Sequence, residues 1–75
     1  MFIPMSLAME GNDVKVKKIA LKDEMSRRMR ELGLMAGNSI KIIKNDGKSL
    51  IIAINDSRFG IDMNLARKIF IEEVS

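Results

Sequence analysis

Apolar residues recur at every second position through most of this chain, and at helical spacing through one short stretch. Val14 and Val16 alternate with Lys15 and Lys17, the period of a strand with one buried face. Ile19 breaks that phase, which predicts a bulge or the strand's end near Lys18. Ser39 to Lys44 carries Ile40 and Ile42 on one face and Ile43 on the other. Asn45-Asp46-Gly47 then reads as a hairpin turn that tolerates positive φ. Leu50, Ile52 and Ile54 alternate in the returning strand, with Ile51 and Ala53 giving it a second apolar face. Asn55-Asp56-Ser57 predicts the next turn, and Phe59 with Ile61 a short strand after it. Asn64 to Arg67 fits a single helical turn capped by Asp62 or Asn64. Ile69 and Ile71 predict a last strand, with Lys68 and Glu72 facing out.

Between the first strand and the Ile-rich ones the period changes. Met25, Met29 and Leu32 fall at i, i+4 and i+7, so the spacing predicts a helix from Lys22 to Leu32 with these three on a buried stripe. Asp23 and Glu24 open it and arginines gather toward its end, as the helix dipole favours. Gly33 fits the left-handed C′ position that stops a helix, and Leu34 then falls at C″, placed to touch Met29 at C3. Gly37 supplies a second bend before the alternation at Ile40 begins.

Five short strands joined by tight turns predict a mainly β fold. It has one helix after the first strand and a short helical turn before the last. A small SH3-like barrel fits that count and length; an OB-fold needs longer strands and places its helix later. Closure of the barrel would remove exposed sheet edges. Residues 1–6 read as a loose leader, with Leu7 and Met9 available to pack, and residues 7–75 as the barrel domain.

Seventy-five residues allow one hydrophobic core, and the 47% hydrophobic content supports it. Cysteine and histidine are both absent, which removes disulfides and the thiolate and imidazole ligands of ordinary metal sites. General acid–base or nucleophilic chemistry would fall to carboxylates, Lys or Ser. The carboxylates Asp56, Asp62, Glu72 and Glu73 sit at turns or on outer faces, and no Gly-rich loop precedes a helix to cradle phosphate. The reading is therefore not an enzyme, with no catalytic residue, no cofactor and no metal ligand assigned. Seven methionines offer only thioether, a soft ligand suited to Cu(I), and Met25 and Met29 are better placed for packing. Met1-Phe2-Ile3, broken at Pro4, is neither a signal peptide nor a membrane span, so a cytoplasmic protein is expected.

The net charge of +3 permits nucleic acid or an acidic protein surface as partner and demands neither. Arg27, Arg28 and Arg30 form the one basic cluster. Small barrels that bind single strands also need aromatic platforms, and Phe2, Phe59 and Phe70 are the only aromatics. A partner protein suits the cluster better. The helical stripe places the arginines outward and Leu32 inward, with Leu34 and Met35 at the helix exit. Arg27, Arg28, Arg30, Leu34 and Met35 are accordingly the expected partner-binding residues, apolar contact supplying affinity and charge steering approach.

Several of these segments carry a resemblance. Leu7 with Gly11 matches an opening L-x-x-x-G; the run Arg28 to Gly37 matches a helix followed by L-G-L-x-P-G. Phe59-Gly60-Ile61-Asp62 and Leu65 to Ile71 match a closing pattern of apolar strand, alanine turn and apolar strand. From about Leu7 to Glu73 the chain resembles the ferrous-iron transport protein A family, a domain also found as the SH3-like C-terminal domain of iron-dependent repressors. Ala36 departs from the family's usual proline and loosens that turn. The resemblance implies a cytoplasmic accessory to a ferrous-iron permease carrying a GTPase domain, with iron as the transported ion rather than a bound cofactor. Two other readings stand beside it: a small basic nucleic-acid-binding barrel, and a transition-metal-responsive regulatory domain.

Overall fold

The computed structural model describes residues 1–74. Its six strands are β1 (Ile3–Pro4), β2 (Asp13–Ile19), β3 (Ser39–Asn45), β4 (Ser49–Ile54), β5 (Ser57–Asp62) and β6 (Ile69–Glu73). Helix α1 spans Asp23–Glu31 and the short α2 spans Met63–Ala66, and a 3-10 turn covers Met5–Leu7. All neighbouring strands pair antiparallel in one sheet of order β1-β6-β2-β3-β4-β5.

The alternation read from the sequence sets the inner face. Val14, Val16, Ile40, Ile42, Leu50, Ile52, Ile54, Ile61, Ile69 and Ile71 are all buried. Lys15, Lys17, Ile43 and Ala53 are half-buried, and Lys41 and Ile51 exposed. Two bulges bend the sheet around this core. Pairing of β2 with β6 slips between Val16 and Lys18, and pairing of β3 with β4 slips between Ile42 and Lys44. Each slip inserts one residue into one strand and sharpens its local twist. The first explains why Ile19 falls out of phase with Val14 and Val16.

The sheet curls without closing. No ladder joins β1 to β5 among the described residues; α2 packs against β4, β5 and the 3-10 turn instead. Asp62, not Asn64, caps α2, its Oδ1 accepting the Leu65 N–H at 2.8 Å. The closure expected from the strand count is thus replaced by a helical turn across the gap, and β1 and β5 remain edges.

The N-terminal residues are not a loose leader. Ile3 and Pro4 pair with Ile71 and Phe70, and Met5 is completely buried. Asn45 donates through Nδ2 to the carbonyls of Ala8 (2.8 Å) and Ser6 (3.3 Å), while Glu10 accepts from its backbone N–H. Leu7 and Met9, expected to pack, are about two-thirds exposed; Met5 and Ala8 take the inward positions. The tight 3-10 turn rotates the chain so that Met5, its first residue, and Ala8, just after it, face the core together.

At the β3–β4 turn, Asp46 Oδ1 accepts the Lys48 and Ser49 N–H groups at 2.9 Å each. These two bonds, aided by Lys44 and Lys48, hold its carboxyl below the ordinary value of 3.8. A lowered folded pKa stabilises the fold above the unfolded value, and that contribution is lost as pH falls through the folded one. Asp46→Asn should therefore make the melting temperature less sensitive to acid below about pH 4. Identical acid limbs for parent and variant would remove this carboxylate from the account.

Candidate functional site

The helix stop is built as the sequence suggests. Gly33 has φ +98°, its N–H donates to the Arg30 carbonyl at 2.9 Å, and the Leu34 N–H donates to the Met29 carbonyl at 2.8 Å. This is the paired 5→2 and 6→1 bonding of a Schellman stop, and it brings C3 and C″ side chains to the same side. Met29 and Leu34 are correspondingly buried, at 7% and 1% exposure. The exit loop is then tied down at its far end. Gly37, at φ +97°, donates its N–H to the Val16 carbonyl at 2.8 Å, and the Asn38 carbonyl accepts from Val16 at 2.9 Å.

That geometry sorts the five expected partner-binding residues. Arg27, Arg28 and Arg30 are exposed on α1, and Met35 is exposed beyond the stop. Leu34 is not available to a partner, because as C″ it closes the core beneath Met29. Leu32 is likewise reversed: expected inward, it is 40% exposed. Met29 is the only buried residue of α1, and Met25, expected on a buried stripe, is also exposed. Two leucines flanking a Schellman glycine take opposite roles, since the C″ residue folds back and the C-cap residue stays on the helix surface. The signal for the exposure of Leu32 was present in the spacing around Gly33, but helical periodicity masked it.

The exposed apolar residues join into a surface. Met25, Leu32 and Arg28 line one open groove with Glu31 and the edge of Met29. Met25 also lines a second groove with Leu21, Leu65 and Lys68, bounded by Asp62 and Asn64. Met25 is thus the centre of an apolar strip running from α2 along α1. Met35 lines neither groove, so the strip draws Arg28 toward Met25 and Leu32 rather than toward Met35.

The only ion pairs among the described residues lie elsewhere, joining Glu72 to Lys17 (3.5 Å) and to the Met1 amino group (3.8 Å). The three helix arginines make no such pair, and Arg28 shares its groove with the exposed Met25 and Leu32 and with Glu31. Among the described residues no three carboxylates converge on a point. Histidine and cysteine are missing from the sequence, so any transition-metal donor would have to be a carboxylate, carbonyl or thioether group. No helix is long and apolar enough to cross a membrane.

Comparison with known proteins agrees with this architecture. A "Putative Fe(2+) transport protein A" from Methanocaldococcus jannaschii is 34% identical over 70 residues, covering 93% of this chain and 85% of that protein. A crystal structure described as an iron uptake regulatory protein, FeoA, superposes with a TM-score of 0.90 at 23% identity, covering 99% of this chain and all of that one. A manganese-dependent transcriptional repressor contains the same fold, with a TM-score of 0.83 at 14% identity, over 97% of this chain and 42% of the repressor. The fold is accordingly the SH3-like arrangement expected from the strand pattern, left open between β1 and β5. The FeoA domain profile matches residues 3–73, and the chain belongs to the FeoA domain family.

Proposed function

We propose that this chain is a small, non-enzymatic, cytoplasmic accessory of ferrous-iron transport. On this reading it docks on the GTPase-bearing cytoplasmic part of an iron permease through the outer face of α1. Family membership and the name of the archaeal relative support the transport role. The docking reading rests on one observation: Arg28, exposed and without an ion pair among the described residues, lines a groove with the exposed Met25 and Leu32, while Arg27 and Arg30 add exposed positive charge elsewhere on α1. Such a patch suits an acidic partner segment with apolar anchors. The apolar contacts hold the complex, and the arginines raise the encounter rate and penalise basic competitors. Met35, exposed at the helix exit but outside both grooves, is tested separately.

The nucleic-acid reading gains nothing from the geometry. Phe2 is half exposed beneath the Lys17 ammonium, while Phe59 and Phe70 are half-buried, so no row of exposed rings offers bases a stacking platform.

The test is binding of the purified permease cytoplasmic domain to Arg28→Glu/Leu32→Gln and, separately, to Met35→Ser. Both sets of side chains are solvent-accessible, so the melting temperature should change little. The double variant should bind at least about 30-fold more weakly, the loss of a hot spot of about 2 kcal/mol. The parent should also bind more slowly as salt rises. Parent-like affinity in the folded double variant would move the docking surface off α1.

A further inference from the structure

The two edges of the sheet are protected unequally. β1 is only two residues long and ends in Pro4, which has no N–H to offer. A short edge carrying proline is a usual defence against pairing with another chain. β5 has neither device. It is six residues long, contains no proline, and pairs with β4 without a slip from Ser57 to Asp62.

The register says which backbone groups β5 leaves open. The β4–β5 hairpin has a two-residue turn, Asn55-Asp56, closed by the pair Ile54–Ser57. In such a hairpin the closing pair exchanges both hydrogen bonds and bonded pairs then alternate. Ser57, Phe59 and Ile61 thus bond to β4, while the N–H and C=O groups of Arg58 and Gly60 and the N–H of Asp62 point to the free edge; the Asp62 carbonyl is taken by the first turn of α2. None of the turn, loop or capping backbone bonds of the described residues uses Arg58 or Gly60. Gly60 is not demanded by the fold: it lacks positive φ, and a Cβ there would meet nothing within 4 Å. A glycine inside a strand with no internal reason marks a place where another backbone comes close.

We propose that β5 pairs antiparallel with β5 of a second copy of this chain, across a two-fold axis at Gly60. That register sets Arg58 of one copy opposite Asp62 of the other, twice, on the outer face. It sets Phe59 opposite Ile61 on the inner face and Gly60 opposite Gly60. Gly60 then exchanges both bonds with Gly60, and at each end the Asp62 N–H donates to the Arg58 carbonyl. Charge selects this register over its neighbours. Moving the axis to Phe59 would place Asp62 against Asp56, carboxylate on carboxylate, and moving it to Ile61 would run Arg58 into Asn64, beyond the end of β5. Opposite charges directly across a ladder favour pairing and like charges oppose it. Arg58 makes no ion pair among the described residues, and the α2 cap uses only Oδ1 of Asp62. The contact is self-complementary and closes at two copies, and it leaves the α1 face free.

An edge of this length gives a modest interface, so association should appear between about 10 μM and about 1 mM. Sedimentation equilibrium across that range should show a monomer–dimer equilibrium, and amide exchange at Arg58 and Gly60 should slow as concentration rises. Arg58→Asp should weaken the dimer at least tenfold (about 1.4 kcal/mol), because it sets like charges across both ends of the ladder. Gly60→Pro should abolish it by removing the central N–H, which points away from β4, so the monomer should still fold. If the proline variant fails to fold, Arg58→Asp and the exchange data decide. A parent that stays monomeric throughout, or a dimer unaffected by Arg58→Asp, overturns the proposal.

Discussion

Gly33→Val should lower stability by about 3 kcal/mol, a fall in melting temperature on the order of 10–25 °C. Two separate terms combine. A side chain in the left-handed region costs about 1–2 kcal/mol, and Gly33 sits there at φ +98°. A Cβ would also stand 2.9 Å from Ile54 Cγ2, and Ile54 is a buried residue of β4, so the extra methyl groups of valine overpack the core for about 1–3 kcal/mol. Gly37 separates the terms. Its φ of +97° is nearly the same, but a Cβ there would meet nothing within 4 Å. Gly37→Ala should therefore show the backbone term alone, about 1 kcal/mol, or a drop of roughly 4–8 °C. If the two variants melt together, the packing of the helix stop against Ile54 contributes nothing.

This stop is also where sequence reading was most informative, because its chemistry is local. Gly33, Leu34 and Met29 lie within one turn of each other, and a left-handed residue needs glycine whatever the rest of the chain does. The β3–β4 hairpin is legible for the same reason: alternating apolar residues on both sides meet a turn whose glycine has φ +85°. What helical periodicity does not contain is how much of the helix lies on the sheet. Met25, Met29 and Leu32 share a face, but only the last turn of α1 meets the core, so two of the three became surface. An apolar stripe at helical spacing is thus not by itself a buried one: Met25 and Leu32 are exposed.

The edge strands failed to show for another reason. The alternation around Phe59 and Ile61 identifies β5 without saying that it ends the sheet. Closure depends on whether β1 reaches it, and β1 pairs with β6 instead, leaving α2 to cross the gap. No local pattern distinguishes these outcomes.

Met5→Ala should cost about 2–5 kcal/mol, the range for truncating a fully buried long side chain. In sequence, Met5 lies in an irregular apolar opening next to proline, and nothing there distinguishes it from its neighbours. Its partners lie at the other end of the chain, where Ile71 and Phe70 receive Ile3 and Pro4. A second tether runs from Asn45 at the end of β3 to the carbonyls of Ser6 and Ala8, so the segment is held on both sides of the buried methionine. Leu7 is the control. It is a comparable apolar residue in the same 3-10 turn but 65% exposed, and Leu7→Ser should shift stability by no more than about 0.5 kcal/mol. Chemical denaturation of both variants decides the matter. A large loss at Met5 with none at Leu7 makes the opening residues part of the core, while two small effects would return them to the status of a leader laid loosely against β6.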